Sequence, residues 1–326
     1  MYAKSIAKWV GIWIAVLGVC SANASERKVF TIGATGKASS YYAYHVGVSQ
    51  LLQNKIGYQA TVQETGAAID NKRLLERGQV DWAQFAEPDF FEFYKGLGKW
   101  EGKGQPQFRV FWAVNPIVYF IVVNKNSGIK SVEDLDGKKF CPGGRGSNTE
   151  RMTMEFFEML GVKPDWFRGG YSDAVAAMKD RRIVGYMKSG SISAPDATIL
   201  DVQTAVPVDL ISFSEANIAT IKKKYPYYDF LTMEKTPYGI APVTVRSVFF
   251  IMGTTKEMPE DSAYKIVKVI SENVEFQAGT YPAIKGADVP ALTLKAAQAP
   301  LHTGVIRYLR ELGHEVPDRL VPPEAR

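Results

Sequence analysis

Arg109-Val110-Phe111-Trp112-Ala113-Val114-Asn115-Pro116-Ile117-Val118-Tyr119-Phe120-Ile121-Val122-Val123 is the stretch whose reading decides the fold. Arg109 to Val114 and Val118 to Val123 are continuous apolar runs rather than alternating ones, as strands covered on both faces are. Between them stand Asn115 and Pro116. Proline cannot donate to a strand ladder, so the pair predicts a break. A break between two continuous apolar strands is where a chain can cross from one domain to another.

Outward from this stretch, apolar β-rich runs alternate with helical patterns, which argues an α/β class with largely parallel sheets. On the N-terminal side, Phe30 to Ile32, Ala60 to Val62 and Val80 to Phe85 read as strands. Helical patterns follow through Val46, Leu51 and Leu52, and through Ile69, Leu74 and Leu75, with Gly78 as a C-cap. On the C-terminal side, Ser131 to Asp134 opens a short helix, and Lys139 to Cys141 is a strand running into Gly143 to Gly146. Ser147-Asn148-Thr149-Glu150 has the spacing of a capping box at the head of a helix with Met154, Phe157 and Leu160 on one face. After a helix at Ser172 to Lys179, a strand near Ile183 to Met187 leads to Ser189-Gly190-Ser191. Val243 to Met252 is a long returning strand. Two amphipathic helices end the chain, one from Pro259 to about Phe276 and one carrying Val305, Ile306, Leu309 and Leu312.

The chain begins as a secretory leader: Lys4 and Lys8, an apolar run from Trp9 to Val19, then Ala22-Asn23-Ala24. The apolar run falls short of the ~20 residues that span a bilayer. Cleavage after Ala24 is expected in preference to lipid anchoring at Cys20, because Val19 stands where a lipoprotein signal wants a small residue. Cleavage leaves Cys141 as the one thiol and lowers the net charge from +5 to +3. Stability must then come from burial, of which about 300 residues can supply roughly three quarters of their unfolded surface. The basic residues are dispersed apart from Lys222 to Lys224, and nothing in their pattern suits nucleic acid.

Catalytic and cofactor motifs fail on inspection. Gly36-Lys37 lacks the first glycine of a phosphate loop, since position 31 is Thr31. Gly144 and Gly146 lack the third glycine of a dinucleotide fingerprint. His45, His302 and His314 are not spaced to grip zinc and read as surface or packing residues. No serine lies in a nucleophile elbow, and Cys141 reads as a buried structural thiol. No cofactor and no metal is expected.

What remains are polar, glycine-containing segments that each follow a strand and open a helix: Thr35 to Tyr42, Thr65 to Ala67, Gly144 to Glu150 and Ser189 to Ser191. In open α/β sheets ligands bind beyond the carboxyl ends of strands, where helix N-termini present free amides and positive partial charge. Four such segments could converge on one anionic solute, though each taken alone reads more readily as an ordinary turn between strand and helix. The Ser147 hydroxyl, if spent on the Glu150 amide, is not fully available to a ligand, whereas the amides of Asn148 and Thr149 are.

These segments carry a family resemblance. Thr65-Gly66-Ala67-Ala68-Ile69-Asp70-Asn71 with Arg73-Leu74-Leu75, Gly78 and Asp81 resembles the T-G-G-S-x-x-N-x-x-L-L-x-x-G-x-x-D segment of the TAXI-type solute receptors of TRAP (tripartite ATP-independent periplasmic) transporters. Ser127 to Ser131 with Asp134-Leu135 and Gly137-Lys138, Gly146 to Glu150, and Pro300-Leu301-His302 with Gly304 and Arg307-Tyr308 are similar to further motifs of that family, in the same order. The resemblance implies a type II periplasmic-binding-protein fold, two α/β lobes closing on a hinged cleft. By that analogy residues 1–24 are a signal peptide, 25–115 plus 243–326 one lobe, and 116–242 the other. It implies ligand contacts from Thr35, Gly36, Tyr41, Tyr42, Thr65, Gly66, Ala67, Ser147, Asn148, Thr149 and Glu150, to which Asn115 at the crossing and Ser189 and Gly190 are added. It further implies a periplasmic monomer, not an enzyme, that captures a small carboxylate such as an acidic amino acid and delivers it to a TRAP-type membrane permease. The alternatives left open are a sensory module for a signalling receptor and an exported enzyme on the same fold. The departures from the family pattern lie at the presumed cleft: a longer first loop carrying Lys37, and Arg145 where a small residue is commoner. Either cation is a candidate partner for a ligand carboxylate, Arg145 the better for its bidentate geometry.

Overall fold

The computed structural model describes residues 27–326 apart from 38, 67 and 241, with the backbone alone of Asn115. The expected leader with Cys20, and the candidate Ala67, therefore lie outside the described residues.

In chain order, β1 (Val29–Gly33), α1 (Ser40–Ile56), β2 (Gln59–Gln63), α2 (Ala68–Glu76), β3 (Trp82–Ala86) and α3 (Glu87–Lys95) alternate before the long strand β4 (Phe108–Asn124). Then come β5 (Lys139–Cys141), α4 (Asn148–Met159), β6 (Asp165–Trp166), α5 (Tyr171–Lys179), β7 (Gly185–Ser191), α6 (Ala197–Gln203), β8 (Val208–Ile211), α7 (Glu215–Lys224) and β9 (Asp229–Met233). The second long strand, β10 (Val243–Thr255), precedes α8 (Glu260–Glu272), α9 (Val274–Ala278), α10 (Val289–Ala296) and α11 (Thr303–Glu311). None of the described helices is long and apolar enough to cross a membrane.

β1 pairs in parallel with β2 and β3, while β7 pairs in parallel with β5, which carries β6. The long antiparallel pair β4 and β10 joins these two halves. Through Phe250 to Thr254, β10 borders β3, and through Val243 to Ser247 it borders β9. Beyond Ile117, β4 borders β7, and from Ile121 to Asn124 it also borders β8. The two lobes are thus held by the same two strands.

The break expected at Asn115-Pro116 is a bulge inside one strand. Phe249 stands opposite Pro116 and Phe250 opposite Val114, which leaves Asn115 as the unpaired extra residue. Proline forfeits one ladder bond, and a bulge absorbs that loss while bending the strand. The continuous apolar reading has its cause in two covered faces. Ile117, Tyr119, Ile121 and Val123 join the core that runs through both lobes, while Val118, Phe120 and Val122 face a second cluster with Cys141, Ala174, Met178 and Tyr186.

Other boundaries moved for local reasons. The helix expected from Pro259 to Phe276 is two helices, parted at Asn273 (φ −129°, ψ 44°), whose side chain donates to the Val269 carbonyl. The short helix expected at Ser131 is a single 3₁₀ turn, Glu133–Leu135. Ser189 and Gly190 do not open a helix, because they pair with Tyr119 and Val118 inside β7. His45 and His302 are buried, and His302 caps α11 by accepting from the Gly304 amide.

Candidate functional site

In the first lobe, the turns after β1 and β2 are bound to each other. Thr65 donates to the Ala34 carbonyl at 2.7 Å, and Glu64 accepts from the Lys37 amide at 3.0 Å. The Lys37 ammonium is largely exposed and lies 3.6 Å from the same Glu64. Thr35 is half-buried, Gly36 is exposed, and the Gly66 amide donates to Asp70. Ser39 caps α1 and aims Tyr41 inward, where its ring stacks on Phe250 at 4.6 Å. Tyr42 reaches instead toward the Val62 carbonyl.

In the second lobe, the glycine-rich turn folds back over the head of α4. Gly143 has φ +136°, and a Cβ there would stand 2.8 Å from the Glu150 amide, so only glycine admits this approach. Ser147 accepts from the Glu150 amide at 3.1 Å, as its spacing predicted. The reciprocal half of the capping box is replaced, since the Glu150 carboxylate accepts from the Gly146 amide and from Arg168. Burial pushes Glu150 up, but those donors outweigh it and hold the carboxyl below its ordinary range. Arg145 is exposed, with its amide bound to the Gly169 carbonyl. Thr149 is buried against Tyr171, whose hydroxyl is pushed up to about 12, first by burial. Tyr171 also lies under Lys188, which pairs with Asp196 at 3.0 Å.

The halves meet over the β4–β10 crossing. Burial raises the hydroxyl of Tyr41 well above its ordinary value, and Tyr281, Tyr119 and Asp196 add to this. Tyr119 projects from β4 and is likewise raised by burial. Tyr41, Tyr119 and Tyr171 are therefore neutral at neutral pH and can both donate and accept. Beside them α3 faces α4. The buried Asp89 accepts from the Asn148 side chain at 2.6 Å and lies 3.7 Å from Arg151, which is 4.0 Å from Glu92. Burial, and then the neighbouring Asp89, push Glu92 up to about 7. Arg246 of β10, opposite Tyr119, completes the group, its guanidinium carbon 3.6 Å from the Tyr119 ring centre.

Of the candidates named from sequence, the structure brings Tyr41, Asn148 and Thr149 into this cluster. Lys37 and Arg145 are exposed, Tyr42 turns to the Val62 carbonyl of β2, and Glu150 is bound to its own turn and to Arg168. Sequence reasoning passed over Asp89, Tyr119, Arg151, Tyr171 and Arg246. One signal was available: Arg246 is the single charge in the apolar run Val243 to Met252.

Two α/β lobes joined by paired crossover strands, with α3 of one against α4 of the other, define the fold of a periplasmic binding protein. The profile of the NMT1-like family matches residues 32–313, and the chain belongs to that family. The periplasmic binding protein BugD is similar in structure, with a TM-score of 0.51 and 15% identity over 87% of this chain and 96% of that one. The periplasmic aliphatic sulphonate binding protein SsuA from Escherichia coli has a TM-score of 0.49 and 17% identity over 87% and 79% of the two chains.

Proposed function

We propose that the chain is an extracytoplasmic solute-binding protein that captures a small organic acid, an acidic amino acid or related carboxylate, and delivers it to an ion-coupled TRAP-type permease. Residues 25–115 with 243–326 form one lobe and 116–242 the other, with the β10 segment before Phe250 shared between them. One observation carries this reading: side chains of both lobes meet, the buried Asp89 of α3 accepting from the Asn148 side chain at the head of α4 at 2.6 Å. The resemblance of the turn motifs to TAXI receptors, membership of the NMT1-like family and the fold shared with BugD support it. Tyrosine hydroxyls, a helix N-terminus and flanking arginines suit a polar solute with an acidic group.

The test is a thermal-shift screen of the purified chain against organic acids, amino acids and sugars. A bound solute at 100 times its dissociation constant adds about 2.7 kcal/mol of stability. A melt moved by neutral sugars alone refutes the acid, and copurification with a receptor kinase in place of a permease refutes the transport role.

A further inference from the structure

Three acidic side chains, two from one lobe and one from the other, converge on a single guanidinium. Asp89 and Glu92 of α3 are buried, at 2% and 4% exposed, and Glu155 of α4 is half-buried. Arg151 of α4 stands among them, 3.7 Å from Asp89, 4.0 Å from Glu92 and 3.2 Å from Glu155. Two of the three acids have other strong partners. Asp89 accepts from Asn148 at 2.6 Å and is also attracted by the Arg246 guanidinium, while Glu155 accepts from Lys224 at 2.7 Å and from the Tyr225 hydroxyl. Glu92 has only the distant Arg151 and one neutral donor, the Tyr227 hydroxyl at 3.1 Å. Lys99, the further cation on that side, lies over the Trp100 ring at 4.9 Å. Tyr225 and Tyr228, which also face this group, have hydroxyls raised by burial and stay neutral.

Both contacts of Glu92 come from the opposite lobe, Arg151 from α4 and Tyr227 from the segment after α7. While the lobes touch, Glu92 is shut from water beside the like charge of Asp89, which disfavours its ionised form. Its carboxyl stands at about 7 for those two causes, burial first. Parted lobes return it to solvent and to the ordinary value of 4.5. A hydroxyl accepts as readily as it donates, so a protonated Glu92 keeps Tyr227 as its partner and ceases to repel Asp89 and Glu155.

We propose that Glu92 is a proton-operated latch between the lobes: closure takes up one proton there, and loss of that proton drives α3 away from α4. This goes beyond the identity of the solute and rests only on the contact between the lobes. The sign follows from the tighter hold on the proton in the closed form. Closure is favoured in full below pH 4.5, and the preference is lost as pH rises through about 7. Each pH unit inside that window moves the closed-to-open ratio by up to about tenfold.

The experiment uses the purified chain without solute, spin-labelled at Lys55→Cys and Lys138→Cys and measured by pulsed dipolar spectroscopy at constant ionic strength. Between about pH 7.5 and about pH 5.5 the closed-to-open ratio of the wild type is expected to rise by about tenfold. Glu92→Gln, which has the shape of the protonated acid, is expected to hold one ratio at both pH values. Tyr227→Phe, which removes a donor to the carboxylate, is expected to move the midpoint upward. Carbon-13 spectra of the glutamate-labelled chain give a reading independent of lobe motion: one carboxyl titrating near 7 that is missing from Glu92→Gln. A wild-type ratio that does not change with pH overturns the latch. So does an equal pH response in Glu92→Gln, which assigns the titration to another group, or the absence of any such carboxyl. Should Glu92→Gln fail to fold, the midpoint of Tyr227→Phe decides, and one that is unmoved overturns the latch. With no solute in any arm, a failed latch leaves the receptor reading to its own thermal-shift screen.

Discussion

Removing the Asn148 amide, as in Asn148→Ala, deprives the Asp89 carboxylate of its shortest partner, the 2.6 Å hydrogen bond across the two lobes. Asp89 is buried and cannot turn to water in exchange, and Arg151 at 3.7 Å is too distant to form a full hydrogen bond with it. A hydrogen bond to a charged group contributes about 1.5–3 kcal/mol. Asn148 heads α4 and Asp89 sits in the first turn of α3, so that energy acts on the contact between lobes more than on either lobe alone. The population with α3 and α4 in contact is expected to fall by about 10- to 150-fold relative to the separated state. Spin labels at Lys55→Cys and Lys138→Cys, both exposed positions, one in each lobe, report the interlobe distance by pulsed dipolar spectroscopy. A double-mutant cycle with Asp89→Asn should return a coupling of the same size. Distance distributions unaltered by Asn148→Ala, or a cycle additive to within about 0.5 kcal/mol, would refute the interlobe contact.

Gly253→Ala should destabilise by about 1–3 kcal/mol, because the new Cβ would lie 2.1 Å from Cε2 of the buried Phe90 ring; an unaltered melting temperature counts against it. Arg109 is held bidentately by Glu324 at 2.7 and 2.8 Å, which ties the C-terminal turn to β4. Since Glu324 is about a third exposed and can return to solvent, Arg109→Met should cost about 2 kcal/mol rather than more, measured by urea unfolding. His302 is lowered to about 4 from 6.5, chiefly by burial. Between those two values the unfolded chain binds a proton that the folded chain does not. Its contribution is therefore complete above pH 6.5 and is lost as pH falls toward 4, by up to about 1.4 kcal/mol per pH unit. His302→Asn, which can still cap α11, should flatten this acid slope, and a His302 ring resonance titrating near 6.5 would sink the prediction.

Much of the architecture was legible because it depends on local chemistry. The apolar run from Arg109 to Val123 marks strands buried on both faces, Ser147 marks the head of α4, and Gly143 and Gly146 mark a turn that only glycine fits. Strand and helix starts are statements about neighbours in the chain. Pro116 misled because a missing N–H argues a break, whereas a bulge accommodates it within one strand. Ser189 and Gly190 misled because their neighbour Tyr119 lies on another strand, which the turn-like composition of the segment does not reveal.

The surroundings of the one charge in β10 were decided by tertiary structure alone. That Arg246 interrupts an apolar strand is visible in the sequence, but not that its register sets it over Tyr119, nor that Asp89 bonds to Asn148 from the other lobe. Lys37 and Arg145 stood out because they depart from a local motif. Whether a cation is free to hold an anion depends instead on which acids the fold brings within about 4 Å of it, and those come from segments far apart in the chain.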